Sequence, residues 1–141
     1  MTISYFAYGS NMAESQIKFR CADATFMGVS KLNNKSFFIN AKGVASIKDK
    51  AGSYVQGIVW ALSNNDVQSL DAYEGYPNSY IKIYYEILLN NKVLPVLVYE
   101  STNLEIGNPR EGYLEKIIKT AQTLSFDNGY ISELCTLMNQ D

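Results

Sequence analysis

Apolar residues in the first half of the chain alternate with polar residues or run unbroken, which is the pattern of β-strands. Residues 3–8 are rich in β-branched and aromatic side chains and scarcely alternate, so they predict a strand that is buried on both faces. Further strand-like runs, separated by Asn, Gly, Asp and Lys clusters, cover residues 26–32, 36–39, 43–48 and 54–62. The gaps between them are too short for a crossover helix, which predicts antiparallel pairing.

Other segments repeat their apolar residues every three to four positions, which predicts helices. These helices cover residues 12–19, 66–74 and 110–124, and a further apolar stripe follows Gly129. Asn11 and Glu14, three residues apart, resemble a capping box at the start of the first helix. Asn64 or Asn65 can cap the second helix, and Gly75 lies where a left-handed residue is needed to end it.

The remaining apolar runs, before the third predicted helix, predict two more strands. They cover residues 80–89 and 93–99 and are joined at Asn90 and Asn91. Pro95 predicts that the second of them lies near a sheet edge or a bulge. A chain of 141 residues can bury roughly two-thirds of its unfolded surface, and we expect one domain over residues 1–141.

Composition and charge narrow the class of partner. The net charge is −2, with 47% hydrophobic and 18% charged residues, which predicts neither disorder nor attraction to nucleic acid or to an anionic membrane. No signal-peptide pattern is present, and no apolar run approaches the ~20 residues that a bilayer crossing needs. Cys21 and Cys135 are far apart and form no CxxC spacing, which favours a reduced compartment. We therefore expect a cytoplasmic monomer or homodimer whose partner is a small molecule.

The absence of histidine restricts the available chemistry more than any other feature. With no histidine in the sequence, Ser-His-Asp and Cys-His nucleophile activation are excluded, together with most zinc and non-haem iron sites. A proton carrier must then be an Asp, Glu, Lys, Tyr or Cys side chain.

Glu74 is a candidate for this role because of its place on the second predicted helix. Val67, Leu70 and Glu74 are spaced i, i+3 and i+7, which puts the carboxylate on the apolar stripe. Burial and the negative end of the helix dipole would both raise its pKa toward the range of a general base. Two other interpretations remain open: the side chain points to water at the helix end, or it pairs with a lysine such as Lys82.

The junction between the first strand and the first helix is a candidate binding site. The strand stops at Gly9, and backbone N–H groups left unpaired before a helix form a site for a carboxylate or an oxyanion. Gly9 lets a ligand approach the backbone closely, while Ser10 and Asn11 offer side-chain donors. The same residues would also serve simply to make the bend, and Asn11 simply to cap the helix.

Five sequence motifs occur in the order seen in the gamma-glutamylcyclotransferase family. They are YFAYGSN from Tyr5, GVASI from Gly43, GIVWAL from Gly57, LDAYEGYPNSY from Leu70 and GYLEKIIKTA from Gly112. The chain resembles this family over nearly its whole length. YFAYGSN and the pair of Glu74 and Gly75 are specific when they occur together, whereas GVASI alone is not.

The resemblance implies a fold and a reaction. The fold is α+β, with a small, strongly bent mixed or antiparallel sheet or partial barrel flanked by helices. The reaction is attack by the free α-amine of an L-γ-glutamyl group on its own side-chain carbonyl, which releases 5-oxoproline and an amino acid. No metal, nucleotide or redox cofactor takes part in this scheme.

The resemblance also implies which residues form the site. Glu74 corresponds to the family's proton-carrying glutamate. The implied substrate-binding residues are Tyr5, Phe6, Ala7, Tyr8, Gly9, Ser10, Tyr80 and Tyr113, with Asn11 as a weaker candidate. Each tyrosine has an alternative interpretation as a half-buried packing residue.

The segment after Gly75 departs from the pattern of relatives that act on γ-glutamyl dipeptides. The connection at residues 76–79 is shorter, and the glycine that some relatives have before the tyrosine equivalent to Tyr80 is missing. Two alternatives therefore stay open: a γ-glutamylamine cyclotransferase, and a catalytically silent domain that binds a small metabolite.

Overall fold

Residues 2–138, which the computed structural model describes, form one five-stranded sheet and four α-helices. In chain order the elements are β1 (Ile3–Ala7), a 3-10 turn (Ser10–Met12), α1 (Glu14–Arg20), β2 (Thr25–Ile39), β3 (Ala45–Leu62), α2 (Asn64–Glu74), β4 (Tyr80–Leu89), β5 (Lys92–Ser101), α3 (Tyr113–Thr123) and α4 (Asn128–Thr136). The prediction of an α+β fold is confirmed. No helix within these residues is long and apolar enough to cross a membrane.

The strands are ordered β2-β3-β1-β5-β4, so that the short strand β1 is central. It pairs antiparallel with β3 and parallel with β5, where Tyr5 lies opposite Trp60 and Leu97. β2 and β3 pair antiparallel, as predicted, but they are two long strands rather than four short ones. The expectation for Pro95 is wrong, because β5 is an interior strand; Pro95 lies two residues before Leu97, the position paired with β1.

Two irregularities in β2 bend the sheet. The register with β3 shifts between Phe26 and Gly28 and again near Asn34, which has a positive φ of 63°. Such bulges increase local twist and curvature. The two outer strands are thereby brought together, and the Ser30 hydroxyl donates to the Leu88 carbonyl of β4 at 2.6 Å. The predicted strongly bent sheet, or partial barrel, is confirmed.

The core fills the inside of this curved sheet and the space under α3 and α4. β1 contributes its continuous apolar run, in which Phe6 and Ala7 are almost fully buried. α3 buries one face, formed by Leu114, Ile117, Ile118 and Ala121, because these residues recur at helical spacing. The sequence predicted a helix over residues 110–124. The observed helix α3 is shorter, because it begins only at Tyr113, after Gly112 in a left-handed conformation.

The helix caps differ from the predicted ones. α1 begins at Glu14 without any side-chain cap, so the predicted capping box of Asn11 and Glu14 is wrong. α2 is capped by Ser63 rather than by an asparagine: its hydroxyl accepts from the Asp66 N–H, and the Asp66 carboxylate accepts from the Ser63 N–H. Gly75 ends α2 in the predicted left-handed conformation, with φ 72°.

Candidate active site

A cavity of about 670 Å³ opens where the end of β1, the end of α2 and the start of α3 meet. Its wall includes the sequence-predicted residues Tyr5, Tyr8, Gly9, Ser10, Asn11, Glu74, Tyr80 and Tyr113. Segments that are far apart in sequence therefore converge on one space. Within residues 2–138, no three His, Cys, Asp or Glu side chains cluster as a metal ion requires.

Phe6 and Ala7, also predicted to bind substrate, belong to the core instead. Their exposed fractions are 0% and 1%, and neither lines the cavity. β3 and β5 pair with the two edges of β1, and the core covers both of these side chains. These two residues support the site only as part of the strand that carries Tyr5 and Tyr8.

Glu74, the last residue of α2, is partly buried at the cavity wall. Burial raises the pKa of its carboxyl group, while the positive charge of Arg20 and a hydrogen bond from Asn11 act in the opposite direction. The two alternative interpretations of Glu74 do not hold. The side chain does not extend into bulk water, and Lys82 forms its ion pair with Asp71 at 2.9 Å.

Asn11 connects the loop after β1 to Glu74. Its Nδ2 donates to the Tyr5 hydroxyl at 3.1 Å and to Oε1 of Glu74 at 3.4 Å. Its backbone carbonyl accepts from the Trp60 indole N–H at 3.0 Å. Only 4% of Asn11 is exposed, so this amide lies inside the site instead of capping α1.

Arg20 is a site residue that the sequence analysis missed. Its Nη1 donates to Oδ1 of Asn11 at 2.7 Å, and its guanidinium carbon lies 3.7 Å from the centre of the Tyr73 ring. It lines the cavity. Nothing in its local spacing distinguishes Arg20 from a solvated residue at a helix C-terminus, where a cation is favourable in any case.

Two backbone N–H groups after β1 are used within the loop itself, while anion binding by the amides of Gly9 and Ser10 stays a prediction. The N–H groups of Met12 and Ala13 donate to the carbonyls of Gly9 and Ser10 and close the 3-10 turn. The Ser10 amide faces the Tyr113 hydroxyl. A Cβ at position 9 would lie 3.2 Å from both the Ala45 Cβ and the Tyr113 hydroxyl, so the protein itself packs closely against Gly9.

The tyrosines of the cavity are held in their protonated form. Burial raises the pKa of the hydroxyl groups of Tyr5, Tyr8, Tyr80 and Tyr113 above the usual tyrosine range. Tyr8 donates to the Tyr99 carbonyl at 2.6 Å. Tyr113 instead accepts from the Ala45 N–H at 3.0 Å, which leaves its own proton for a ligand.

Positive charge is in excess around the cavity. The wall includes Arg20, Lys42, Arg110 and Lys116, but only Glu74 and Glu111 carry acidic groups there. Arg110 is fixed against the turn that precedes β3, since its Nε donates to the Lys42 carbonyl at 2.9 Å and its N–H donates to the Gly43 carbonyl at 3.0 Å. The cavity thus suits a ligand with more than one carboxylate.

Asn40 and Ser101, also missed in the sequence, form the polar floor beside this turn. Asn40 is fully buried and donates to the hydroxyls of Ser46 and Ser101 at 2.7 and 3.2 Å. Its Oδ1 accepts from the Lys42 N–H at 2.9 Å. A single buried asparagine therefore fixes the turn that carries Lys42 into the GVASI segment.

Comparison with known proteins identifies the family. A family model described as "Gamma-glutamyl cyclotransferase, AIG2-like" matches residues 5–117. The chain is 30% identical to the gamma-glutamylcyclotransferase of Mus musculus, over 94% of this chain and 77% of that protein, and 29% identical to that of Bos taurus, over 97% and 79%. A solved structure of a gamma-glutamyl cyclotransferase matches with a TM-score of 0.90 and 26% identity, covering 100% of this chain and 90% of the other. The chain therefore belongs to the gamma-glutamyl cyclotransferase, AIG2-like family of enzymes.

Proposed function

We propose that the protein is a γ-glutamylcyclotransferase in which Glu74 carries the proton. The α-amine of an L-γ-glutamyl group attacks the side-chain carbonyl carbon of the same group. A C–N bond forms to close the five-membered ring, the original amide C–N bond breaks, and the products are 5-oxoproline and a free amine. The observation that carries the proposal is the Glu74 carboxylate, partly buried at the wall of a cavity otherwise rich in neutral hydroxyls.

Glu74 has the properties that both proton transfers require. The substrate ammonium must lose a proton before it can attack, and a carboxylate within about 3 Å can accept it. The leaving nitrogen must gain a proton, which the newly formed carboxylic acid can return. Burial raises the pKa of Glu74, so the carboxylate is a stronger base than an exposed glutamate while remaining able to give the proton back.

Tyr113 is the best-placed group for the oxygen that becomes negative. Because its hydroxyl accepts from the Ala45 N–H, its own proton is free to be donated to a substrate oxygen. Its raised pKa keeps that proton in place at neutral pH. Gly9 and Ser10 border the same part of the cavity and would orient the folded γ-glutamyl chain, whose ring closure gains from proximity.

The charge of the cavity favours an amino acid over a simple amine as the leaving group. A γ-glutamyl amino acid carries two carboxylates, and apart from Arg20, which faces Glu74, the wall supplies Lys42, Arg110 and Lys116 against the one acidic side chain of Glu111. A γ-glutamyl derivative of a simple amine such as ethylamine has only one carboxylate to satisfy these cations, whereas γ-glutamyl-ε-lysine has two and is distinguished by the assay rather than by charge. This excess of positive charge supports γ-glutamyl amino acids as the substrate class.

The direct test is product formation by the purified protein. γ-Glutamyl-alanine, γ-glutamyl-ε-lysine and glutathione are each incubated with the protein, and 5-oxoproline is measured by mass spectrometry. We expect 5-oxoproline from γ-glutamyl-alanine, at a higher kcat/KM than from the decarboxylated analogue γ-glutamyl-ethylamine. Ligand binding without any 5-oxoproline across the panel would identify a binding domain and contradict the proposal.

A further inference from the structure

The guanidinium group of Arg20 is fixed on three sides by the protein itself. Nη1 donates to Oδ1 of Asn11 at 2.7 Å, and the flat face of the group stacks on the Tyr73 ring at 3.7 Å. Gln16, four residues earlier on the same face of α1, satisfies its hydrogen bonds when its amide oxygen points toward Arg20; this oxygen then accepts from Nε at 2.9 Å and from Nη2.

The contact with Arg20 determines which way the Asn11 amide points. An arginine only donates hydrogen bonds, so it selects the oxygen end of the amide. The nitrogen end is then turned toward the Tyr5 hydroxyl and Oε1 of Glu74, both of which accept from it. With the amide reversed, the nitrogen would face a cation and the oxygen would face a carboxylate.

We propose that Arg20 is a positioning residue of the active site, which holds the Asn11 amide so that its N–H groups face Tyr5 and Glu74. The proposal rests on the proposed function, because it concerns the orientation of the carboxylate that is to carry the proton. Asn11 supplies the hydrogen bond to Glu74, and Arg20 acts on Glu74 through Asn11 and through its charge.

The bonding of Arg20 distinguishes it from a residue that binds substrate. Its Nη1 donates to Asn11, its Nε and Nη2 face Gln16, and its central carbon lies over the Tyr73 ring. Two donors in a planar fork are what an arginine needs to grip a carboxylate, and here the fork is directed at Gln16. Arg110, by contrast, uses Nε for the Lys42 carbonyl and is not part of this arrangement.

Several titratable side chains of the described residues interact electrostatically with Glu74, and Arg20 is the one cation among them. The others are Tyr5 and Tyr8 from β1, Cys21 after α1, Tyr80 from β4, Tyr99 from β5 and Tyr113 from α3. Burial keeps these hydroxyls and the thiol in their neutral forms. Removal of Arg20 therefore leaves the carboxylate without a compensating charge.

The test compares Arg20→Gln with the wild type and with Lys119→Gln, which removes one positive charge from the exposed side of α3. We expect kcat for γ-glutamyl-alanine to fall by about tenfold in Arg20→Gln, because a misplaced catalytic group loses much of its orientation advantage. KM should change by less than about threefold, since substrate contacts are kept. Lys119→Gln should match the wild type.

The second readout is the ¹³C NMR signal of the Glu74 carboxyl carbon, measured as a function of pH. This signal is assigned by its absence from the spectrum of Glu74→Gln. Arg20 lowers the pKa of Glu74, so Arg20→Gln should move the inflection to higher pH. The acidic limb of the kcat/KM profile should move with it. In an Asn11→Ala background, Arg20→Gln should reduce kcat much less than tenfold, because the amide it orients is gone.

The opposite results would overturn the proposal. A rise in KM with unchanged kcat and an unchanged Glu74 titration would make Arg20 a substrate-binding residue. If circular dichroism shows that Arg20→Gln does not fold, Arg20→Lys takes its place, and wild-type kcat in that variant would overturn the orienting role. The NMR titration needs no turnover, so it still decides the role of Arg20 if full activity of Glu74→Gln contradicts the proposed function.

Discussion

The two ends of α2 carry carboxylates in opposite surroundings. Asp66, in the first turn, is 4% exposed, and its oxygens accept from the backbone N–H groups of Ser63 at 3.1 Å and Asp23 at 3.4 Å. The free N–H groups of a helix N-terminus favour a negative charge at that place. Each oxygen of this carboxylate therefore accepts a backbone hydrogen bond, and the side chain fixes the start of the helix.

Glu74, in the last turn, has fewer donors and a less favourable location. Among the described residues, a single side chain hydrogen-bonds its carboxylate, Asn11 at 3.4 Å. The carbonyl groups of a helix C-terminus disfavour a negative charge, and burial raises the pKa of the group. Each oxygen of Asp66 thus accepts a backbone hydrogen bond, whereas Glu74 retains the capacity to accept a proton that its proposed role requires.

The largest expected effect is on enzyme activity, and it distinguishes Glu74 from Asp66. Glu74→Gln keeps the size of the side chain but removes the proton acceptor, so we expect kcat/KM to fall by ~10² or more. The rate of 5-oxoproline formation measures the loss of activity. The matched control is Glu115→Gln, which makes the same change at an exposed position. Activity within tenfold of the wild type would show that another group carries the proton.

The next largest effect is on the free energy of unfolding, and it distinguishes Asp66 from Glu74. Asp66→Ala removes the two hydrogen bonds that the Asp66 carboxylate accepts, from the N–H groups of Ser63 and Asp23, and should lower the free energy of unfolding by about 1–2 kcal/mol. Urea denaturation measures the change, and Asn64→Ala, at an exposed position in the same turn, provides the control. Turnover per folded molecule should stay within twofold of the wild type; a hundredfold loss would mean that Asp66 also serves the reaction.

The smallest effect concerns the pH dependence of stability. A carboxyl group whose pKa is raised on folding stabilises the protein fully below its unfolded pKa, and this contribution is lost as pH rises through the folded pKa. Glu74→Gln has no carboxyl group at this position, so it does not lose this contribution to stability as pH rises. Urea denaturation from pH 4 to pH 8 should therefore show the variant gaining stability relative to the wild type as pH rises. A difference that is constant or of opposite sign would contradict a raised pKa.

The sequence predicted the strands and the inward face of α2 because these depend on local periodicity. The stripe of Val67, Leu70 and Glu74 needs only helical spacing, and Leu70 is indeed fully buried. The α+β fold followed from the family motifs and is confirmed by the sheet and by the solved relative. Local patterns did not reveal that β1 pairs parallel to β5, since the partner is chosen by tertiary packing.

The errors share a physical cause, which is competition between local and distant partners. Asn11 had a plausible local role as a cap, yet its amide bonds to Tyr5, Arg20 and Glu74. Four residues at the start of α2 are good caps, and the reciprocal bond with Asp66 selects Ser63. Arg20 gave no local signal at all, because its role depends on residues brought together by the fold.

The central position of β1 sets the time at which the cavity can form during synthesis. β1 emerges before the other strands, but its neighbours in the sheet are β3 and, through Leu97, β5. The cavity therefore cannot be complete until the ribosome has delivered the chain through the start of α3, which carries Tyr113, and such long-range pairing is slow. An unfinished chain thus carries Glu74 without the cavity into which the folded protein places it.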